Sequence, residues 1–368
     1  MHSIRRLLAA VAAVAAVIVA GSALAGPLTP PSGPVGSSMK TLDQVEPRRP
    51  IRAADIPLVI TQPGSYYLVE NITMPSANTA IRISASDVTI DLNGFTLRGP
   101  GGTPTPLLDG IRMESVQSGV WIRNGMIAGF QGDGINLSVA SANVRISDVC
   151  VTGCGWYGVR VGGIAAVVER CTASLNGKSG FSAGGPAGTF IDCVAMSNGD
   201  AGFLLGGTAC RVRGCSAAQN STDGFRAQTG MTDVSECKAY SNGGDGFVFT
   251  NLGTTIRDCV ALNNGGDGIE VSSHSRVIGN HSRANGISVT DGAGIRLTGT
   301  RSHVDGNTLS DNDVGIRAES GGNMIMRNVL STHAGGHIVA SAGNNVGQLH
   351  SSPGGSFAVT NPWANLAH

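Results

Sequence analysis

Five cysteines, Cys171, Cys193, Cys215, Cys237 and Cys259, stand 22 residues apart, and Ala173, Ala195, Ala217, Ala239 and Ala261 keep the same beat. So do Asn176, Asn198, Asn220, Asn242 and Asn264. A Gly followed by an apolar residue recurs as Gly110-Ile111, Gly134-Ile135, Gly158-Val159, Gly180-Phe181, Gly202-Phe203, Gly224-Phe225, Gly246-Phe247, Gly268-Ile269, Gly294-Ile295 and Gly315-Ile316. Gly335-Gly336 extends this column, and Ile81-Arg82-Ile83 reads as an earlier unit without its Gly. A unit this short cannot bury a core alone, so its copies must stack on one another as a solenoid.

Residues i and i+2 of a strand share a face. The Cys and Ala columns therefore look inward, and the mixed column between them, Thr172, Val194, Ser216, Lys238 and Val260, looks outward. A 22-residue unit holds two or three short strands with their turns and has no pattern for a helix. The expected fold is all-β: a single-domain right-handed parallel β-helix of about 11–12 coils, each of 21–26 residues. Right-handed winding follows the general preference of parallel crossovers, and the hexapeptide rhythm of left-handed solenoids is missing. With coils ~4.8 Å apart, eleven Gly positions imply a rod of roughly 50 Å. The column residue Asn tolerates left-handed backbone, and stacked copies can hydrogen-bond from coil to coil. Hydrophobic residues make up 41% of the chain but aromatics only 4%, which argues against a layered core built on large rings.

Arg5 and Arg6, the apolar run from Leu7 to Ala20 and the small-residue site Ala23-Leu24-Ala25 read as a signal peptide over 1–25. The run is short for a bilayer span of ~20 residues, so the expectation is an exported chain with no membrane span after cleavage, in the periplasm, at the cell surface or outside the cell. Residues 26–50 read as a Pro/Gly-rich linker and N-terminal cap, 51–345 as the β-helix and 346–368 as a C-terminal cap or tail. A formal net charge of zero gives no case for a nucleic-acid partner. Monomer and oligomer both remain open. In-register neighbours of a parallel ladder sit about 4.8 Å apart, beyond the ~3.8 Å between Cβ atoms that a disulfide prefers. The five column cysteines therefore read as buried small hydrophobes. Cys150, Cys154 and Cys210 lie off the column, and a Cys150–Cys154 bridge across a turn stays open.

The column pattern, the entry segment Ile60-Thr61-Gln62-Pro63-Gly64-Ser65-Tyr66-Tyr67-Leu68 and the ending Asn361-Pro362-Trp363-Ala364-Asn365-Leu366 resemble the bacterial right-handed β-helix proteins of the pectin lyase-like superfamily. The resemblance covers roughly residues 51 to 368. It implies the fold and a wide range of roles: polysaccharide lyases, glycosidases, epimerases, adhesins and NosD-type periplasmic accessory proteins. Of the polygalacturonase motifs only Ser221-Thr222-Asp223-Gly224 has a counterpart. Trp121-Ile122 begins like a pectate-lyase W-I-D-H motif but continues with Arg123 and Asn124. Past the leader the only lysines are Lys40, Lys178 and Lys238, few for a Lys/Arg lyase using calcium, and the tyrosine-and-histidine motif of mannuronan epimerases is missing.

The residues themselves offer three constellations. Asp223, Asp245 and Asp267 precede the column Gly in successive coils; such a ladder would hold calcium or share a proton, and Asp-Gly is equally ordinary turn chemistry, as at Asp109-Gly110 and Asp133-Gly134. Two residues beyond the column Gly stand Arg112, Arg160, Arg226, Glu270, Arg296 and Arg317, outward positions suited to carboxylates or sulfates of an acidic glycan or simply to solvation. Trp156 and Tyr157, beside Arg160, could stack on sugars or shield a coil edge. Aligning Asn280 with Asn307 superposes Arg276 on His303 and His274 on Arg301, a patch able to supply a base and a cation but lacking a matching carboxylate. The expected function is binding, and at its furthest cleavage, of an extended acidic polysaccharide on a lateral sheet face. The alternatives are a non-catalytic cell-surface or adhesion scaffold and a NosD-like accessory protein.

Overall fold

In the computed structural model, residues 46–103, 108–286, 292–351 and 360–368 are described, and their β-structure forms one unit, Arg48–His368. The expected signal peptide lies outside the described residues. Among them no helix is long and apolar enough to cross a membrane.

Each coil contributes a strand to three parallel stacks. The first sheet holds thirteen strands, from Leu58–Ile60 to Ile338–Ala340, in strict chain order. The remaining twenty-six strands form one hydrogen-bonded network that folds along a corner into a second and a third row. In a central coil these are Val167–Glu169 and Thr172–Ser174, which follow the first-sheet strand Val159–Val161. About thirteen coils thus replace the expected 11–12, because Leu58–Ile60 forms a first-sheet strand without the Gly signature. The winding also runs further at both ends: Arg49–Ile51 pairs with Tyr66–Leu68, and Asn365–Ala367 pairs with Val329–Ser331.

The interior is built from ladders, as the periodicity requires. Cys193, Ala195, Cys215 and Ala217 are fully or almost fully buried, while Val194 of the intervening column is 38% exposed. All eight thiols are free. Burial pushes the Cys154 thiol up to about 12 and Cys215 well above its usual range, so both stay protonated and inert. Phe181, Phe203, Phe225 and Phe247 stack with ring centroids 5.0, 4.7 and 4.8 Å apart. Burying each ring contributes about 2–3 kcal/mol. The column Gly is needed for space: a Cβ on Gly224 would lie 2.6 Å from the carbonyl oxygen of Gly246.

In the regular coils the corners turn through left-handed residues, and here the structure corrects the sequence reading. The left-handed position is the residue before the column Asn, as at Leu175, Ser197, Gln219 and Ser241, with φ between 53° and 56°. The Asn side chain works differently. The Nδ2 of Asn220 donates to Asn242 Oδ1 at 2.9 Å and the N–H of Asn220 donates to the same oxygen at 3.1 Å. This inner ladder runs from Asn176 to Asn312. A second one, Asn280, Asn307, Asn328 and Asn365, takes over the Cys column where Cys259 ends it. At the far end the Gly column closes on His337 rather than on Gly335 or Gly336, since Ile316 N–H donates to His337 O.

Asn242→Ala would remove two Nδ2 bonds, to Ala217 O and Asn264 Oδ1, and strand the buried N–H of Asn220. The expected cost is roughly 3 kcal/mol. Urea unfolding of this variant beside Lys238→Ala, an exposed neighbour expected within about 0.5 kcal/mol of the parent, measures it.

Candidate functional site

The outer face of the first sheet carries one side chain per coil, fixed in register. Arg82 pairs with Arg112, Arg112 with Asn136, and Asn136 with Arg160. Further along, Arg226 pairs with Val248, Glu270 with Arg296, and Arg296 with Arg317. This is the outward Arg column expected two residues past the Gly.

The Asp column lies beside it and is tied to it. Each aspartate precedes a column Gly, so its carboxylate sits where the next coil's backbone begins a strand. Asp245 N–H donates to Asp223 Oδ1 at 2.9 Å, Asp267 N–H to Asp245 Oδ1 at 2.6 Å, and Ala293 N–H to Asp267 Oδ1 at 2.6 Å. Asp109 and Asp133 do the same for Asp133 and Tyr157, at 2.7 and 3.0 Å. The second oxygens face the arginines: Arg226 Nε lies 2.5 Å from Asp223 Oδ2, Arg296 Nη1 3.3 Å from Asp267 Oδ2, and Arg160 Nη1 4.0 Å from Asp133 Oδ2. The two columns that the sequence reading separated are one network.

Burial shapes its charge. Asp133 is pushed up to about 7, first by burial and then by the charge of Asp109. Asp245 is likewise raised to about 7 by burial, with Asp267 and Asp223 adding like charge. Burial also raises Asp109, Asp267 and Glu270. The network therefore holds proton-accepting groups near neutral pH beneath a row of arginines. Calcium needs six to eight oxygens. Asp223, Asp245 and Asp267 alone do not supply them, because their Oδ1 atoms serve the backbone and two of the Oδ2 atoms face arginines. Among the described residues no group of three or more His, Cys, Asp or Glu is arranged to hold a metal ion.

Trp156 and Tyr157 sit half-buried in the turn that enters the strand Val159–Val161. Their rings meet edge to face with centroids 6.5 Å apart, and the Arg160 guanidinium lies 5.3 Å from the Tyr157 ring. They thus flank the same sheet face.

The His-Arg patch lies elsewhere, on the second row. Arg276 is opposite His303, the register the Asn alignment gave. His274 and Arg301 occupy equivalent left-handed corners, φ 58° and 60°. The carboxylate missing from the sequence reading is Asp305, two residues past His303 on the same face of its strand. Its Oδ2 lies 3.9 Å from His303 Nε2, and Arg327 pairs with both of its oxygens. Two further clefts on this row escaped notice. One, of about 520 Å³, is lined by Asp91, Trp121, Arg123, Asn124, Ser147, Asp148 and Arg170. The other, of about 390 Å³, is framed by Arg211, Arg213, Asp233, Ser235, Glu236 and Arg257.

The raised aspartates set a pH dependence. An acid whose folded pKa lies above its unfolded value near 3.8 contributes stability that is fully present below that value and lost as pH rises through about 7. Asp245→Asn keeps the acceptor for the Asp267 N–H and removes the ionisation. Thermal melting should show this variant a few degrees more stable than the parent at pH 8 and indistinguishable from it below pH 4.

With this geometry in hand, likeness to known proteins is informative about the fold. The mannuronan C-5 epimerase AlgE6 A-module of Azotobacter vinelandii superposes with a TM-score of 0.65 at 18% identity, covering 83% of this chain and 89% of that one. The AlgE4 A-module of the same organism gives 0.65 at 16% identity, covering 77% and 91%. The Dettilon tailspike protein gives 0.53 at 16% identity, covering 84% and 59%. No curated protein sequence matches the chain. The sequence profile of the right handed beta helix region matches residues 58–216 and 134–287. The chain belongs to the right-handed β-helix family.

Proposed function

We propose that this protein is exported and binds an extended acidic polysaccharide along the outer face of its first sheet. The observation that supports the reading is the Arg column. Arg112, Arg160, Arg226, Arg296 and Arg317 repeat along the axis of the rod at positions fixed by strand register. A guanidinium pairs bidentately with a carboxylate or sulfate, and a polymer lying along the axis meets several in turn. Arg112, Arg160, Arg226 and Arg296 face buried aspartates of the chain, and Asp133 beside Arg160 is raised to about 7, so at Arg160 a polymer carboxylate can replace a carboxylate already there. Trp156 and Tyr157 provide an amphipathic lip for sugar rings beside Arg160. The epimerase modules and tailspike that share the fold are consistent with glycan work, though their low identity bears on fold alone. Calcium enters this reading as an ion bridging Asp245 to polymer carboxylates. Cleavage enters it through Asp133, whose carboxyl titrates near neutral pH beside Arg160.

One observation favours the rival reading of a non-catalytic surface scaffold: Arg112, Arg160, Arg226 and Arg296 all face acids of their own chain.

The test is retention of the chain from Gly26 onward on immobilised uronic-acid polymers, with and without calcium, together with absorbance of unsaturated products. Retention should weaken with salt and fall at least tenfold in Arg160→Ala/Arg226→Ala. No retention on any acidic polymer, or retention indifferent to the double variant, would sink the reading in favour of the scaffold.

A further inference from the structure

At the C-terminal end of the second row lies a cleft of about 360 Å³ that has a different character from the charged faces. Its lining includes Met324, Met326, Asn344, Asn345, Val346 and Trp363, and none of its lining residues is charged. Trp363 is 54% exposed and Met324 42% exposed. Exposure of an indole to this extent opposes the hydrophobic effect, yet the backbone on either side of it is anchored by hydrogen bonds. Trp363 N–H donates to Asn361 Oδ1 at 3.0 Å, closing a tight turn with Pro362 inside it. Two residues on, Asn365 is completely buried at the end of the second Asn ladder, bonded to Asn328 and to the carbonyl of Gly347. Arg327, already paired with Asp305, lies 5.3 Å from the indole ring. The backbone that carries the tryptophan is thus tied down on both sides, and its ring borders the same cleft as Met324 and Met326.

The polar groups complete the pattern. The Asn344 amide is engaged on both sides, accepting from Asn323 N–H at 2.9 Å and donating to Ser341 O at 2.8 Å. The Asn345 amide is exposed and makes no hydrogen bond to the described residues. A flat apolar ring, two soft methionine side chains and one free amide donor–acceptor, with the Arg327 cation beside the ring already paired with Asp305, match a pyranose: its C–H face lies against the indole and its hydroxyls reach the amide.

We propose that this cleft is a second glycan subsite, specific for an uncharged sugar unit, with Trp363 as its platform and Asn345 as its hydroxyl-reading group. It rests on the glycan reading above and adds a neutral unit to the acidic polymer proposed for the first sheet. Trp363 is one of three tryptophans, so its fluorescence reports occupancy.

The test titrates the chain from Gly26 onward with neutral oligosaccharides, linear glucans, mannans and galactans, following tryptophan fluorescence and calorimetry. The same samples are run in parallel on an immobilised uronic-acid polymer. At least one neutral series should bind saturably. Trp363→Ala should weaken that binding at least tenfold, Trp363→Phe less, and Asn345→Ala severalfold, while retention on the acidic polymer stays unchanged. Melting curves identify any variant that fails to fold, in which case Asn345→Ala carries the test. No saturable binding of a neutral series, or equal affinity in the folded variants, overturns the subsite even where the acidic polymer is retained. Trp363-dependent binding without acidic retention overturns the first-sheet proposal and leaves the subsite standing.

Discussion

The fold depends on one interaction repeated along the axis: a buried asparagine that gives its amide N–H to the oxygen of the asparagine one coil away and accepts, on its own oxygen, from the coil on the other side. Asn176, Asn198, Asn220, Asn242, Asn264 and Asn285 each donate to the next at 2.9–3.0 Å. A parallel sheet alone would tolerate slippage between coils. A buried amide cannot, because a shift of one residue would leave two donors and two acceptors unmatched in a dry interior. From Asn176 onward the ladder therefore fixes the register of the strand rows, and it offsets the ~1–2 kcal/mol that each left-handed corner there costs.

Strict register has a consequence for chemistry. When every coil repeats the one below, a side chain is never alone: it faces its own equivalents about 4.8 Å away. For Phe181 to Phe247 this makes a stack; for aspartates it makes repulsion, which burial intensifies. The chain answers by turning each Oδ1 to a backbone N–H of the next coil and the Oδ2 of Asp109, Asp133, Asp223 and Asp267 to an arginine. A structural column and a surface column thereby become one electrostatic unit, in which Asp133 and Asp245 retain protons near pH 7. The face that results alternates arginines with acids and has proton-binding aspartates beneath it.

Much of this was legible in the sequence because solenoid columns are written directly in it. The inward Cys and Ala columns, the outward Arg column and the opposition of Arg276 to His303 followed from spacing alone. Other features were not. The left-handed corners hold residues as different as Leu175, Arg170 and Thr332, because the stack and not the side chain imposes the conformation. The Gly335-Gly336 pair drew attention away from His337, which holds the column position. The Asp–Arg coupling was hidden because the strings Asp109-Gly110-Ile111-Arg112 and Asp223-Gly224-Phe225-Arg226 bring acid and base together only once the turn is built. Asp305 was passed over because the His-Arg alignment compared coils and not positions along one strand. Trp363 lies beyond the repeat, where column logic is silent.

The central claim is that the outer face of the first sheet is the polymer-binding face. Amide hydrogen exchange with and without a long oligouronate tests it most directly. Protection is expected in the turns and first-sheet strands between Asp109 and Arg296, with the second and third rows unchanged across the same coils. Protection confined to those other rows, or none at a saturating oligouronate concentration, would contradict it.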